Sequence, residues 1–134
     1  MKRVFVDTVD YLALTNPRDQ DAAAAIRFTA AFFGAFVTSA WVLAEVANSL
    51  TRGTDRSLFL ELYRSLADDR RMMIVPPNQE LFDEGIRLFA ERPDKEWSLT
   101  DCLSFIIMRE YDLTDALTAD HHFEQAGFRI LLPR

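Results

Sequence analysis

Four carboxylates sit in surroundings unlike those of surface acids: Asp7 in VFVDT, Glu45 in TSAWVLAEV, Asp101 in SLTDCLSF and Asp120 in ALTAD. Apolar residues flank each on both sides, which is not so for Asp68, Asp69 or Glu96. Singly, each has an ordinary role open to it. Asp7 and Asp120 can cap the turns that follow them, and Ser98 with Asp101 matches the S-x-x-D capping box. Glu45, Asn48, Ser49 and Arg52 fall at i, i+3, i+4 and i+7, the pattern of a solvated helix stripe. Together the four ask for more. Carboxylates gathered at one place repel and raise one another's pKa unless a cation lies between them. Oxygen ligands without His or Cys point to Mg2+ or Mn2+. Such ions serve phosphodiester hydrolysis, where they activate water and offset charge on the leaving oxygen.

The remaining composition removes competing chemistries. The chain has 134 residues, room for one domain over 1–134, with 49% hydrophobic and 27% charged residues, an ordinary globular balance. Its glycines, Gly34, Gly53, Gly85 and Gly127, are too scattered for a phosphate-cradling loop. Cys102 alone forms neither an internal disulfide nor a thiolate zinc site, and reads as a small core residue. His121 and His122 are adjacent and unaccompanied, which excludes a multi-histidine metal site. The net charge of −6 taken alone argues against nucleic acid. Four of those charges belong to the proposed pocket, so divalent ions reopen that possibility. No apolar run reaches the roughly 18 residues of a membrane span, and MKRVFVDT meets an acid too early for a signal peptide. No membrane association and a cytoplasmic location are the expectation.

The acids need elements to hold them. Val4–Val6 reads as a buried strand ending at Asp7, and helical turns over Thr8–Leu14 are closed by Asn16-Pro17. The segment from Asp19 to Phe33 is rich in helix formers, with Gly34 as its stop, and AFVT over Ala35–Thr38 reads as a second strand. Ser39 is placed to cap a helix running to Gly53; Asp55 to Ala67 forms another, with Leu58, Phe59, Leu62, Tyr63 and Leu66 on one face. Met72–Val75 is strand-like before Pro76-Pro77, Asn78 to Glu91 is helical, and ERPDKEW is a loop. Ser98 opens a helix through DCLSFIIMREY; Ala116–Ala119 reads as a strand, HHFEQAG as a turn and Phe128–Leu132 as a last strand. Short apolar strands alternating with helices predict an α/β/α three-layer domain around a central, mostly parallel sheet of four or five short strands. In such sheets sites form beyond the carboxyl ends of the strands, where these four acids are expected.

With those pieces in order, the chain resembles the PIN-domain nucleases, and in size and layout the VapC-type toxins of toxin–antitoxin pairs. The resemblance runs from VFVDT to the strand FRILL at 128–132. It rests on Asp7-Thr8, on S-x-W-V-L-A-E with Glu45, on SLTDCLSF with Asp101, and on LTADHHFEQAGF. The last piece fits the pattern T-x-D-x-x-F…G through Thr118, Asp120, Phe123 and Gly127. The resemblance implies a metal-dependent endoribonuclease with one or two divalent ions, Mg2+ or Mn2+, held by Asp7, Glu45, Asp101 and Asp120. Asp120 would bind directly or through a water, and Thr8, Ser98 and Thr118 would be supporting polar groups. It further implies an RNA substrate, a cognate antitoxin and a homodimer. One stretch departs from the family: SFIIMREYDLTD is bulkier than usual and adds Asp112 and Asp115. Asp115 reads as a turn residue, with a shift in the fourth strand's register as the alternative.

Asn48 and Arg52, sharing Glu45's helix face, are the candidates for phosphate contacts. Phe28, Phe32 and their neighbours offer a dimer or antitoxin groove, though most of the large aromatic residues, including Trp41 and Trp97, are expected in the core. His121 and His122 read as a partly exposed turn beside Asp120 with one ring packed, the alternative being substrate contact or proton donation. Two rival classes compete with this reading. A phosphoryl-accepting domain needs an acid where Val9 stands or a lysine near the chain's end, and neither Lys2 nor Lys95 serves. A catalytically silent PIN-like binding module, its acids only caps, is the alternative that remains.

Overall fold

The computed structural model describes residues 2–16, 18 and 21–132. Five short strands form one parallel sheet: β1 (Arg3–Val6), β2 (Ala35–Ser39), β3 (Met72–Val75), β4 (Asp115–Leu117) and β5 (Arg129–Ile130), in the order β3-β2-β1-β4-β5. Near-continuous apolar runs such as Val4-Phe5-Val6 suit strands covered on both faces. Seven helices are described: α1 (Thr8–Thr15), α2 (Ala22–Ala31), α3 (Ala40–Asn48), α4 (Gly53–Asp68), α5 (Gln79–Glu91), α6 (Leu99–Glu110) and α7 (His121–Gln125). The expected Pro17 stop and Asp19 helix start lie outside the described residues. The architecture is the three-layer α/β/α arrangement the sequence predicts.

Strand β1 lies at the centre, with Val4 opposite Phe36 in β2 and Val6 opposite Leu117 in β4. The chain winds outward from β1 to β3, then returns to β4 on the other side. The junction of β1 and β4 is therefore the point where the winding reverses, and a crevice opens beyond the strand ends there. Beneath it, Phe105 meets Phe123 edge-on at 4.9 Å and Trp97 at 5.0 Å. Full burial of each such side chain contributes about 1.5–3 kcal/mol. Trp97 is thus core, as are Cys102 and the edge of the stack that Phe28, Phe32 and Phe36 form. Phe33 is the exception at 96% exposure.

Several boundaries differ from the sequence expectation, each for a local reason. The helix capped by Ser39 ends at Asn48 rather than Gly53. The Ser49 hydroxyl donates to the Glu45 carbonyl at 3.3 Å, and the Ser49 and Leu50 amides bond tightly back to Val46 and Ala47, closing the helix. HHFEQAG forms the short helix α7 instead of a plain turn, capped by Asp120 and ended at Gly127, whose φ of 97° favours glycine. The fourth strand spans Asp115–Leu117, not Ala116–Ala119, and the fifth is Arg129–Ile130 alone. Asp115 is thus a strand residue. It opens β4 at the end away from the crevice, where Arg129 grips it at 2.9 and 3.1 Å and Lys2 at 3.2 Å. The left-handed turn position falls to Asp112 instead, with φ 54°.

Candidate active site

Asp7 follows directly on β1. It stands at the N-cap position of α1, yet its carboxylate makes no capping bond, and it is only 3% exposed. Across the sheet junction, the Thr118 hydroxyl donates to Asp7 Oδ2 at 3.0 Å and accepts from the Asp120 amide at 3.1 Å. One hydroxyl therefore ties the acid after β1 to the acid after β4. Asp120 Oδ1 accepts the His122 amide at 2.9 Å, fixing the start of α7. Asp101 arrives from α6. Its capping box with Ser98 is complete, with bonds of 3.0 and 3.1 Å. The same Asp101 Oδ2 lies 3.2 Å from His122 Nδ1, which is also 3.4 Å from Asp120 Oδ1. Asp101 is therefore both a cap and a wall of the crevice.

The electrostatics follow from this crowding. Burial above all, then the Asp101 and Asp120 charges, push the Asp7 carboxyl up to about 7 from an ordinary 3.8. Burial and Asp120 raise Asp101 too, against the opposing Ser98 amide and His122. Besides His122, no basic side chain pairs with them: among the described residues the ion pairs of Lys and Arg fall on Asp69, Asp94 and Asp115. Clustered oxygen donors lacking a positive partner fit a hard divalent cation. Two buried oxygens without hydrogen-bond partners, Thr8 Oγ1 and Asp10 Oδ1, lie on the adjoining first turn of α1.

The structure brings Asp7, Asp101, Asp120, Thr118 and Ser98 into one bonded unit. Glu45 stands on α3, half-buried, and is not among the charges acting on Asp7 or Asp101. Asn48 is the exposed last residue of α3. Arg52 does not share Glu45's helix face, because the Ser49 closure puts it at the N-cap of α4. Asp10, a further neighbour of the site, escapes a reading of the sequence. Asp10 is 1% exposed and is pushed up to about 7, by burial and then by Asp7. The spacing D-x-x-D in DTVD is its one signal. His122 reads as a turn residue along the chain, and only the fold turns its ring onto Asp101.

Comparison with known proteins places the chain. A model of the PIN domain matches residues 4–129. No curated protein matches it. Among solved structures it is similar to VapC20 of Mycobacterium tuberculosis, described as a sarcin–ricin loop cleaving toxin. That likeness has a TM-score of 0.88 and 25% identity over 97% of this chain and 99% of that one. FitAcB of Neisseria gonorrhoeae gives 0.67 at 17% identity, covering 96% of each chain. DNA-bound VapBC of Salmonella typhimurium gives 0.67 at 12%, covering 98% of each. With the family model spanning nearly its whole length, this chain belongs to the PIN domain family.

Proposed function

We propose that the chain is a divalent-metal-dependent endoribonuclease, the toxin of a toxin–antitoxin pair acting in the cytoplasm. The observation that carries this reading is the bonded unit of Asp7, Asp101 and Asp120, which no Lys or Arg among the described residues pairs with. Asp7, Asp101 and Asp120 would hold a divalent ion, Mg2+ or Mn2+, whose chemistry would be to activate water and offset charge on the scissile phosphate. The chain's own residues do the rest. Thr118 holds Asp7 and Asp120 in mutual register; Ser98 fixes the Asp101 carboxylate through the helix cap. Glu45 supplies the fourth acid from α3, with Thr8 beside Asp7. Asn48 and Arg52 receive the RNA backbone, now from two helices. The ion must come first, since a chain of net charge −6 repels phosphates without it.

RNA as substrate is supported by the likeness to a toxin described as cleaving the sarcin–ricin loop. An antitoxin partner is supported by the VapBC likeness and by the surface of α4. No α4 residue is fully buried, and Leu58, Leu60 and Tyr63 are exposed. A groove of about 430 Å³ between α3 and α4 is lined by Leu43, Ala44, Ala47, Phe59, Leu60 and Tyr63, among others. Homodimerisation is part of the same reading.

The test is cleavage of a structured RNA carrying a sarcin–ricin-type loop, with Mg2+ or Mn2+ and then with chelator. Cleavage is expected to stop in chelator and to fall about 100-fold or more in Asp7→Asn and Asp101→Asn. Cleavage that survives chelator, or both substitutions, overturns the reading.

A further inference from the structure

The geometry points to His122 Nδ1 as a direct ligand of the divalent ion, completing a mixed nitrogen–oxygen site with Asp101 and Asp120 that favours Mn2+ over Mg2+. The inference rests on the metal-dependent reading above and adds the identity of one donor and of the preferred ion.

Three side chains set the geometry. His122 Nδ1 is 3.2 Å from Asp101 Oδ2 and 3.4 Å from Asp120 Oδ1. In an octahedral site with bonds of about 2.1 Å, neighbouring donors are separated by about 3.0 Å. Each of the two observed separations is that of donors at neighbouring corners of such a site, slightly spread. Asp120, His121 and His122 also offer ligand atoms all within 4.8 Å of one another. The ring is positioned rather than free. The His122 amide donates to Asp120 Oδ1 at 2.9 Å, and the His121 ring packs tilted against the His122 ring with centroids 4.5 Å apart. His121 itself is exposed, and its Nδ1 lies 3.9 Å from Asp120 Oδ1, so it supports the ring from outside.

The chemical consequence is selectivity. Mg2+ takes oxygen donors and keeps its waters, whereas imidazole suits the later transition ions. One nitrogen among carboxylates leaves Mg2+ binding possible and strengthens Mn2+ binding.

The experiment uses metal-depleted full-length protein with Mn2+ and Mg2+ as probes. Calorimetric titration gives the two affinities for the parent protein, His122→Gln and His121→Gln. Pulsed electron paramagnetic resonance of the Mn2+-loaded proteins reads whether a nitrogen is bound. Expected are a nitrogen modulation in the parent and in His121→Gln, its loss in His122→Gln, and a fall of about tenfold or more in the Mn2+-to-Mg2+ affinity ratio of that variant. Mn2+ bound without nitrogen modulation in the parent overturns the inference and leaves the nuclease reading standing. An unchanged affinity ratio in folded His122→Gln does the same. Failure of the parent to bind either ion overturns both.

Discussion

Thr118 shows how much of the site hangs on one hydroxyl. It donates to Asp7 and accepts from the Asp120 backbone, so Thr118→Val, nearly the same shape, breaks both bonds at once. We expect a loss of about 1–3 kcal/mol in stability and about 10–100-fold in divalent-ion affinity, read by chemical denaturation and calorimetry. Asp10 presents the opposite case. Its carboxylate is buried with one oxygen unpartnered, and charge there is a burden to the fold. Asp10→Asn removes the charge at similar size. In chelator it should raise the melting temperature at about pH 8 relative to its effect at about pH 5, where the parent carboxyl is already neutral. An effect independent of pH would show that Asp10 carries no buried charge.

At the scale of elements, α6 does two jobs. Its N-terminal cap is the strongest local signal in the helix, and the capping acid is also a wall of the crevice. Ser98→Ala therefore costs about 1 kcal/mol of stability and should also weaken ion binding, because the Asp101 amide loses the Ser98 hydroxyl that fixes the first turn carrying the carboxylate. Asn78→Ala is the matched control. It removes the cap of α5, where Asn78 Oδ1 accepts the Leu81 amide at 2.8 Å, and should cost similar stability with ion affinity unchanged. Equal losses of affinity would sink the dual role. Helices α5 and α6 also approach closely at Gly85, where an added Cβ would meet the Leu103 side chain, 2.9 Å from its Cγ. With Leu103 buried, Gly85→Ala should cost about 1–3 kcal/mol by overpacking, measured by thermal or urea unfolding.

For the whole molecule, the buried acids set the response to pH. Asp7 and Asp10 both stand near 7 in the folded protein against an ordinary 3.8. A carboxyl raised in this way favours the fold while protonated. That contribution is complete below the unfolded value and is lost as pH rises through the folded one. In chelator, stability should therefore decline from about pH 4 to about pH 7 and level off above. On the proposed metal-dependent reading, divalent ions bind the deprotonated cluster in the native state only, so their stabilising shift should be largest above about pH 7. Melting curves across pH, with and without millimolar Mg2+ or Mn2+, check both limbs. A metal-free stability that rises over this range would contradict the burial of these charges. The net charge of −6 acts at the same scale: on the proposed reading it makes ion binding the condition for meeting RNA.

The sequence by itself determined what is local. Apolar runs set the parallel strands, the S-x-x-D pattern set the cap of α6, and apolar flanks marked Asp7, Glu45, Asp101 and Asp120 as a set, of which the fold ties Asp7, Asp101 and Asp120 together. These signals survive because strand burial and helix caps depend on neighbours a few residues away. Other features needed the tertiary structure. The parting of Arg52 from Glu45 came from a closure at Ser49 that competes with the helix ladder only once Leu50 packs against the core. Asp115 was drawn into β4 by Lys2 and Arg129, partners distant in the chain. Asp10 looks like an ordinary first-turn acid until packing removes its water, and His122 looks like a turn until α7 sets its ring on Asp101. Each depends on which segments meet, which no spacing along the chain encodes. The types of donor were therefore written in the sequence, while their burial, mutual charge and final partners were decided by the fold.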